Sequence, residues 1–135
     1  MGDADVSRCF GCTRPECKGP AGCADTAWRL EPGGYLRSIL NARVYDIAIE
    51  TPLEVAKKLS GELGNTLLLK REDLQAVFSF KVRGAFKFLA NMAEDARKAG
   101  VICASAGNHA QGVAMAAHHL GCAATICMPP TTTPL

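Results

Sequence analysis

The chain has no apolar run long enough to cross a bilayer and no run of basic residues, and aromatics make up only 6% of its 135 residues. The first absence argues against a spanning helix. The other two, with a net charge of +2, leave no basic stripe with interleaved aromatic rings of the kind that nucleic-acid binding uses. Internal repeats and low-complexity tracts are missing as well. Histidine is scarce, with three residues, and His118 and His119 are neighbours that point in different directions on a helix, so they form no two-histidine metal face. What remains, 48% hydrophobic and 21% charged, is an ordinary soluble-domain composition.

Cysteine is not scarce. Four of the seven, Cys9, Cys12, Cys17 and Cys23, lie among Gly11, Pro15, Gly19, Pro20 and Gly22 in a segment without apolar periodicity. Residues 1–34 therefore read as an irregular tail. The Cys9 and Cys12 spacing suits one metal-binding turn, but the other spacings form no second one, and no metal site is assigned. Cys103, Cys122 and Cys127 fit apolar thiols in or beside buried strands, a reducing-compartment pattern in which disulfides are disfavoured. Asp3, Asp5 and the small number of hydroxylated residues argue against a transit peptide in the tail.

Chemistry concentrates in two short segments, Ser79–Ala85 (SFKVRGA) and Ser105–Gly112 (SAGNHAQG). In the first, Ser79 is a good N-cap and Phe80, Ala85, Phe88, Leu89 and Met92 recur at helical spacing, which puts Lys81 in the first turn. The positive end of the helix dipole, Arg83, and burial beside Phe80 and Val82 would all disfavour the charged ammonium there. A free amine is what attack on a carbonyl requires, whereas a solvated surface lysine is the plainer alternative.

The second segment lies inside a βαβ pattern covering 101–128. Val101–Ala104 suits a buried strand, and His109–Leu120 a helix with apolar Val113, Ala116, Ala117 and Leu120. Gly121 stops that helix, and Ala123–Met128 gives a second strand. In a parallel sheet, Ser105, Ala106, Gly107 and Asn108 then lie at the carboxyl end of a strand and lead into a helix N-terminus, a cradle for phosphate or carboxylate. An ordinary βα turn with Ser105 or Asn108 as cap fits equally well.

Upstream, Tyr35–Arg43 suggests a short helix using Leu36, Ile39 and Leu40. Thr51 is expected to cap a second helix, with Pro52 at its first position and a stripe of Leu53, Ala56, Leu59 and Leu63. Thr66–Leu69 reads as a strand. Lys70, Arg71, Glu72 and Asp73 then read as a solvated charged face rather than as catalytic groups.

Taken in this order, SFKVRGA and SAGNHAQG resemble the paired signatures of pyridoxal-phosphate enzymes of the tryptophan-synthase-β-like fold, specifically the biosynthetic threonine dehydratases. Tyr35–Leu53, Leu67–Ala85, GVICASAGNHAQGVA and the closing MPPTTTP carry the likeness from Tyr35 to Leu135, with wording most similar to plant and algal plastid enzymes. The resemblance implies an α/β architecture, the N-terminal part of a two-domain fold-type-II enzyme with a parallel sheet and flanking helices, incomplete in this chain. It implies that Lys81 holds pyridoxal 5'-phosphate as an internal imine, that Phe80 packs beside the pyridine ring, and that Asn108 donates to its phenolic oxygen. Ser105, Ala106, Gly107, Asn108, His109 and Gln111 would form or support the substrate-carboxylate loop, His109 by support more than by proton transfer.

The reaction so implied is β-elimination of threonine, or analogously serine, to an oxo acid and ammonia in isoleucine biosynthesis, by a homo-oligomer in the plastid stroma or, alternatively, the cytoplasm. The resemblance also implies a glycine-rich phosphate loop and a hydroxyl residue facing the ring nitrogen, and the sequence contains neither. Two classes follow as expectations. One is the first part of a longer dehydratase, inactive as 135 residues alone; the other is a truncated, non-catalytic product that binds a partner or metal through its cysteine-rich tail.

Overall fold

The computed structural model describes residues 31–132, and the four cysteines of the tail lie outside them. These residues fall into two compact units divided between Ala42 and Arg43. In the first, helix α1 (Gly34–Leu40) follows Gly33. The apolar positions expected to serve this helix, Leu36, Ile39 and Leu40, are all exposed.

The second unit carries the remaining elements. Strand β1 (Leu53–Val55) precedes helix α2 (Lys57–Leu63), and strand β2 (Leu68–Lys70) pairs antiparallel with β1, Leu53 opposite Lys70 and Val55 opposite Leu68. A helix starting at Thr51 is thereby corrected. The Thr51 hydroxyl donates to Glu72 at 2.6 Å instead of capping, and the main chain on either side is drawn into the hairpin, with Arg71 N–H bonded to Pro52 O and Ala56 N–H to Leu67 O, each at 3.0 Å. These tertiary partners outweigh a local cap. The helix begins only after the strand, at Lys57.

Helix α3 (Lys81–Ala90) and short helix α4 (Glu94–Ala99) lead into strand β3 (Val101–Ala104), helix α5 (Asn108–His119) and strand β4 (Ala124–Cys127). Strands β3 and β4 are parallel, with Val101 opposite Ala124 and Ala104 opposite Cys127, as the βαβ pattern requires. Gly121 ends α5 in the left-handed region (φ 63°); its N–H bonds to His118 O at 3.2 Å and Cys122 N–H to Ala117 O at 2.8 Å, the paired bonds of a Schellman stop.

The main core lies between α3, α5 and the inner face of the β3–β4 sheet. Ala85, Phe86 and Leu89 meet Val113, Ala116, Ala117 and Cys122, with Val101, Cys103 and Ile126 packed against them. Val82 joins Ala48 and Val77 in a second cluster. The buried face of α3 is thus Val82, Ala85, Phe86 and Leu89, an i, i+3, i+4, i+7 stripe. Phe80 and Phe88, expected on that face, are instead exposed: Phe88 stands about 200° round the helix from the buried Phe86. Of the three described thiols, Cys122 is buried, Cys103 half-buried and Cys127 exposed. Among the described residues, no helix is long and apolar enough to cross a membrane.

Two glycines should respond oppositely to alanine. A methyl at Gly61, inside α2, meets nothing within 4 Å, so Gly61→Ala should raise stability by about 0.5–1 kcal/mol through helix propensity. Gly121→Ala should lower it by about 1–2 kcal/mol because of its positive φ. Urea unfolding of both variants checks the signs.

Candidate active site

Lys81 is the first residue of α3, and its N–H bonds to the buried Ser79 hydroxyl at 3.3 Å. Its side chain is exposed, and Phe80 beside it is 62% exposed, so the burial expected around the amine is absent. Phe78, three residues earlier, has φ 53°, the one positive φ on a non-glycine among the described residues. The turn that delivers Lys81 is therefore strained, by roughly 1–3 kcal/mol for such a residue.

Arg83 is not the bare positive neighbour of Lys81 that the sequence suggests. Its Nε and Nη2 donate to the two carboxylate oxygens of Glu72, each at 2.8 Å, and Nη2 also reaches Ile49 O at 3.1 Å. Thr51 Oγ1 and Gln75 Nε2 donate to the same carboxylate, at 2.6 and 3.2 Å. Gln75, buried, clasps Ile49 through both its main-chain groups, accepting from N–H at 3.0 Å and donating to C=O at 2.9 Å. The guanidinium of Arg83 also sits over the Tyr45 ring, 5.1 Å from its centroid. Glu72 is thus no part of a solvated face: its side chain is only 15% exposed. Arg71, the next charge in the run, bridges Glu54 and Asp73 at 2.7 Å each, and Lys70 Nζ donates to Thr51 O.

At the other half of the site, strand β3 ends at Ala104, and Ser105 N–H extends the ladder by bonding to Cys127 O at 3.0 Å. Gly107 is the N-cap of α5, with no side-chain cap, and Gln111 N–H bonds back to Gly107 O at 3.3 Å. Asn108 therefore opens the helix instead of capping it, and the first-turn amides are not taken by a side chain. Ser105 Oγ accepts a long, 3.5 Å bond from Gly107 N–H. Ala106, Gly107, Asn108 and His109 are exposed, and Ser105 and Gln111 half-buried.

The two halves meet at Gly112. A methyl on its Cα would lie 3.2 Å from Lys81 C, Lys81 O and Val82 N, so the second turn of α5 rests on the main chain of the lysine. Lys81 is thereby held within about one helical turn, roughly 5–6 Å along the axis, of the start of α5. Among the described residues, none of the side chains of Lys81, Asn108, His109 and Gln111 hydrogen-bonds to another residue. An amine, an amide and a helix N-terminus stand ready at one end of a parallel sheet, which suits a group carrying both an aldehyde and anionic oxygens. The Glu72–Arg83 clasp and the Gly112 contact carry no periodic signal; a glycine in mid-helix and a carboxylate eleven residues before an arginine were the only hints.

This arrangement is a candidate lysine-centred site on an α/β frame, and the chain belongs to the family described as pyridoxal-phosphate dependent enzyme, whose model matches residues 44–135. Within that family its similarity runs to threonine dehydratases. It is 61% identical over 98 residues to the chloroplastic biosynthetic threonine dehydratase of Arabidopsis thaliana, covering 73% of this chain and 17% of that protein. A biosynthetic L-threonine dehydratase of Escherichia coli is 52% identical over 102 residues, 76% of this chain and 20% of its own length. Among solved structures, the processed form of threonine deaminase isoform 2 from Solanum lycopersicum superposes with a TM-score of 0.69 at 53% identity, over 84% of this chain and 30% of that one. Maize serine racemase gives 0.66 at 32% identity, over 70% and 30%. The fold is that of the pyridoxal-phosphate enzymes of fold type II, and the chain spans about a sixth to a fifth of the length of these curated relatives.

Arg83, first through its hydrogen bonds, holds the Glu72 carboxyl at about 2, well below its ordinary 4.5. A carboxyl lowered in the folded state stabilises the fold fully above pH 4.5, and this contribution disappears as pH falls from there through about 2. With residual exposure screening the pair, the loss should be about 1–2 kcal/mol. Urea unfolding at pH 6 and pH 3 should show it, and Glu72→Gln should flatten the difference while lowering stability at pH 6.

Proposed function

We propose that the full-length protein is a threonine dehydratase in which Lys81 holds pyridoxal 5'-phosphate and the Ser105–Gln111 loop binds the carboxylate of the amino acid. The observation that carries this reading is the Gly112 contact, which joins the lysine-bearing helix to the loop-bearing one at their starts. The similarity to threonine dehydratases from plants and bacteria supports the substrate.

Each residue then has a distinct task. Lys81 would hold the cofactor through its ε-amine and, with that amine free, would serve as the base for the α-proton. Phe80 presents an exposed ring for packing against the pyridine, and Asn108 an uncommitted amide for its phenolic oxygen. The amides that open α5, with the small side chains of Ala106 and Gly107, let a carboxylate approach closely, while Ser105, His109 and Gln111 support the loop. Bound pyridoxal phosphate supplies the electron sink for the pair left by the α-proton. The β-hydroxyl leaves as water, and hydrolysis of the released enamine gives 2-oxobutanoate and ammonia in isoleucine biosynthesis; serine reacts analogously. The chloroplastic threonine dehydratases of Arabidopsis thaliana and Solanum lycopersicum, as relatives, support a plastid protein.

Two substitutions in the full-length protein separate these tasks. Lys81→Ala should abolish covalent cofactor attachment and lower threonine deamination by about 10²–10⁴-fold or more. Asn108→Ala should keep the attachment and weaken threonine use by about 1–3 kcal/mol, read as kcat/KM. Wild-type kinetics in both Asn108→Ala and Ser105→Ala would reduce the loop to a structural turn.

A further inference from the structure

Glycine in the interior of a helix weakens it, yet α5 carries Gly112 in its second turn, buried and facing α3. Its neighbours explain the choice. The three atoms nearest to a methyl there, Lys81 C, Lys81 O and Val82 N, all lie at 3.2 Å and all are main chain. A side-chain tip could rotate away; a helix backbone must shift bodily. The main chain that would shift is that of Lys81 itself. Gly61 has no such neighbour, and Gly107, in the loop, has none either.

At the same helix start, Val82 is 1% exposed and packs with Ala48 and Val77, with Met115 of α5 against them. The start of α3 is therefore fixed both by Gly112 and by this second cluster. A methyl at position 112 would push the lysine main chain away from α5, against the restraint of Val82 in its buried cluster.

From this we infer that Gly112 is a positioning residue: its missing side chain sets how far the Lys81 amine stands from the loop that opens α5. The inference rests on the reading of Lys81 as the cofactor lysine. It assigns Gly112 no contact with cofactor or substrate.

The test uses full-length protein freed of cofactor, with pyridoxal phosphate as the probe. The rate of cofactor capture and the induced circular dichroism of the bound chromophore report the placement of the amine; far-UV circular dichroism reports the fold. Gly112→Ala should keep the far-UV spectrum, slow capture about threefold or more and diminish the induced band, since the Lys81 main chain must give by a few tenths of an ångström and displacement of a reacting group by about 1 Å costs up to about a hundredfold. Val113→Ala, which removes core volume from the next residue of α5, and Gly61→Ala should change capture less than about twofold. Capture by Gly112→Ala at the wild-type rate with an unchanged band would overturn the inference, as would an equal loss in Val113→Ala. If Gly112→Ala does not fold, Val82→Ala loosens the same helix start through its second cluster and carries the same expectation against Val113→Ala. Wild-type capture that survives in Lys81→Ala would overturn the cofactor assignment and this inference together, whereas Lys81-dependent capture indifferent to both helix-start variants would overturn the inference alone.

Discussion

The packing of α3 on α5 is the constraint on which the rest depends. Ala116 is fully buried at its centre, flanked by Val113 and Ala117 from one helix and Ala85, Phe86 and Leu89 from the other. Small residues on α5 let the axes come close, while Phe86 and Leu89 supply apolar area, about 1.5–3 kcal/mol for each large side chain fully removed from water. Because the same pair of helices begins with Lys81 and with the Ser105–Asn108 loop, the contact that builds the core also brings the site together. In the proposed function, the Lys81 amine meets the cofactor only if this interface keeps its spacing.

A second restraint acts on the same helix through hydrogen bonds. Glu72 takes hydrogen bonds from Arg83, Thr51 and Gln75, and Arg83 and Gln75 both reach Ile49. A carboxylate so placed loses hydration, and the bidentate guanidinium with two further donors compensates for it. The network is directional: it ties the segment before β1 and the turn after β2 to the first turns of α3, next to the strained Phe78. Hydrophobic packing sets how closely α3 approaches α5, and these charges oppose its sliding or rotation.

Much of this was legible in the residues, and the limits follow from what sequence patterns encode. The βαβ unit could be read because β3, α5 and β4 each carry their own periodicity and Gly121 marks the stop, so strand and helix fall within a residue or two of their expected places. Lys81 and the Ser105–Gln111 loop could be placed at the starts of their helices because the flanking signals are local. Thr51 and Glu72 could not, because a hydroxyl that caps and a hydroxyl that donates to a carboxylate twenty-one residues away look alike in one dimension. Strand β2 overlaps the strand expected at Thr66–Leu69, but β1 and its pairing were hidden, because so short a strand is defined by its partner more than by pattern. The misplaced face of α3 has a different cause: Phe80 and Phe88 are as apolar as Phe86, and only the position of α5 decides between them. Gly112 stood in plain view, but its meaning depends on which main chain lies against it.

The claim that one lysine at the start of α3 receives the cofactor is tested most directly by borohydride reduction of the full-length protein loaded with pyridoxal phosphate, followed by peptide mapping. The account predicts a single dominant reduced pyridoxyl-phosphate adduct, on Lys81. Dominant labelling of Lys70 or Lys87, or labelling spread over the exposed lysines without preference, would contradict it.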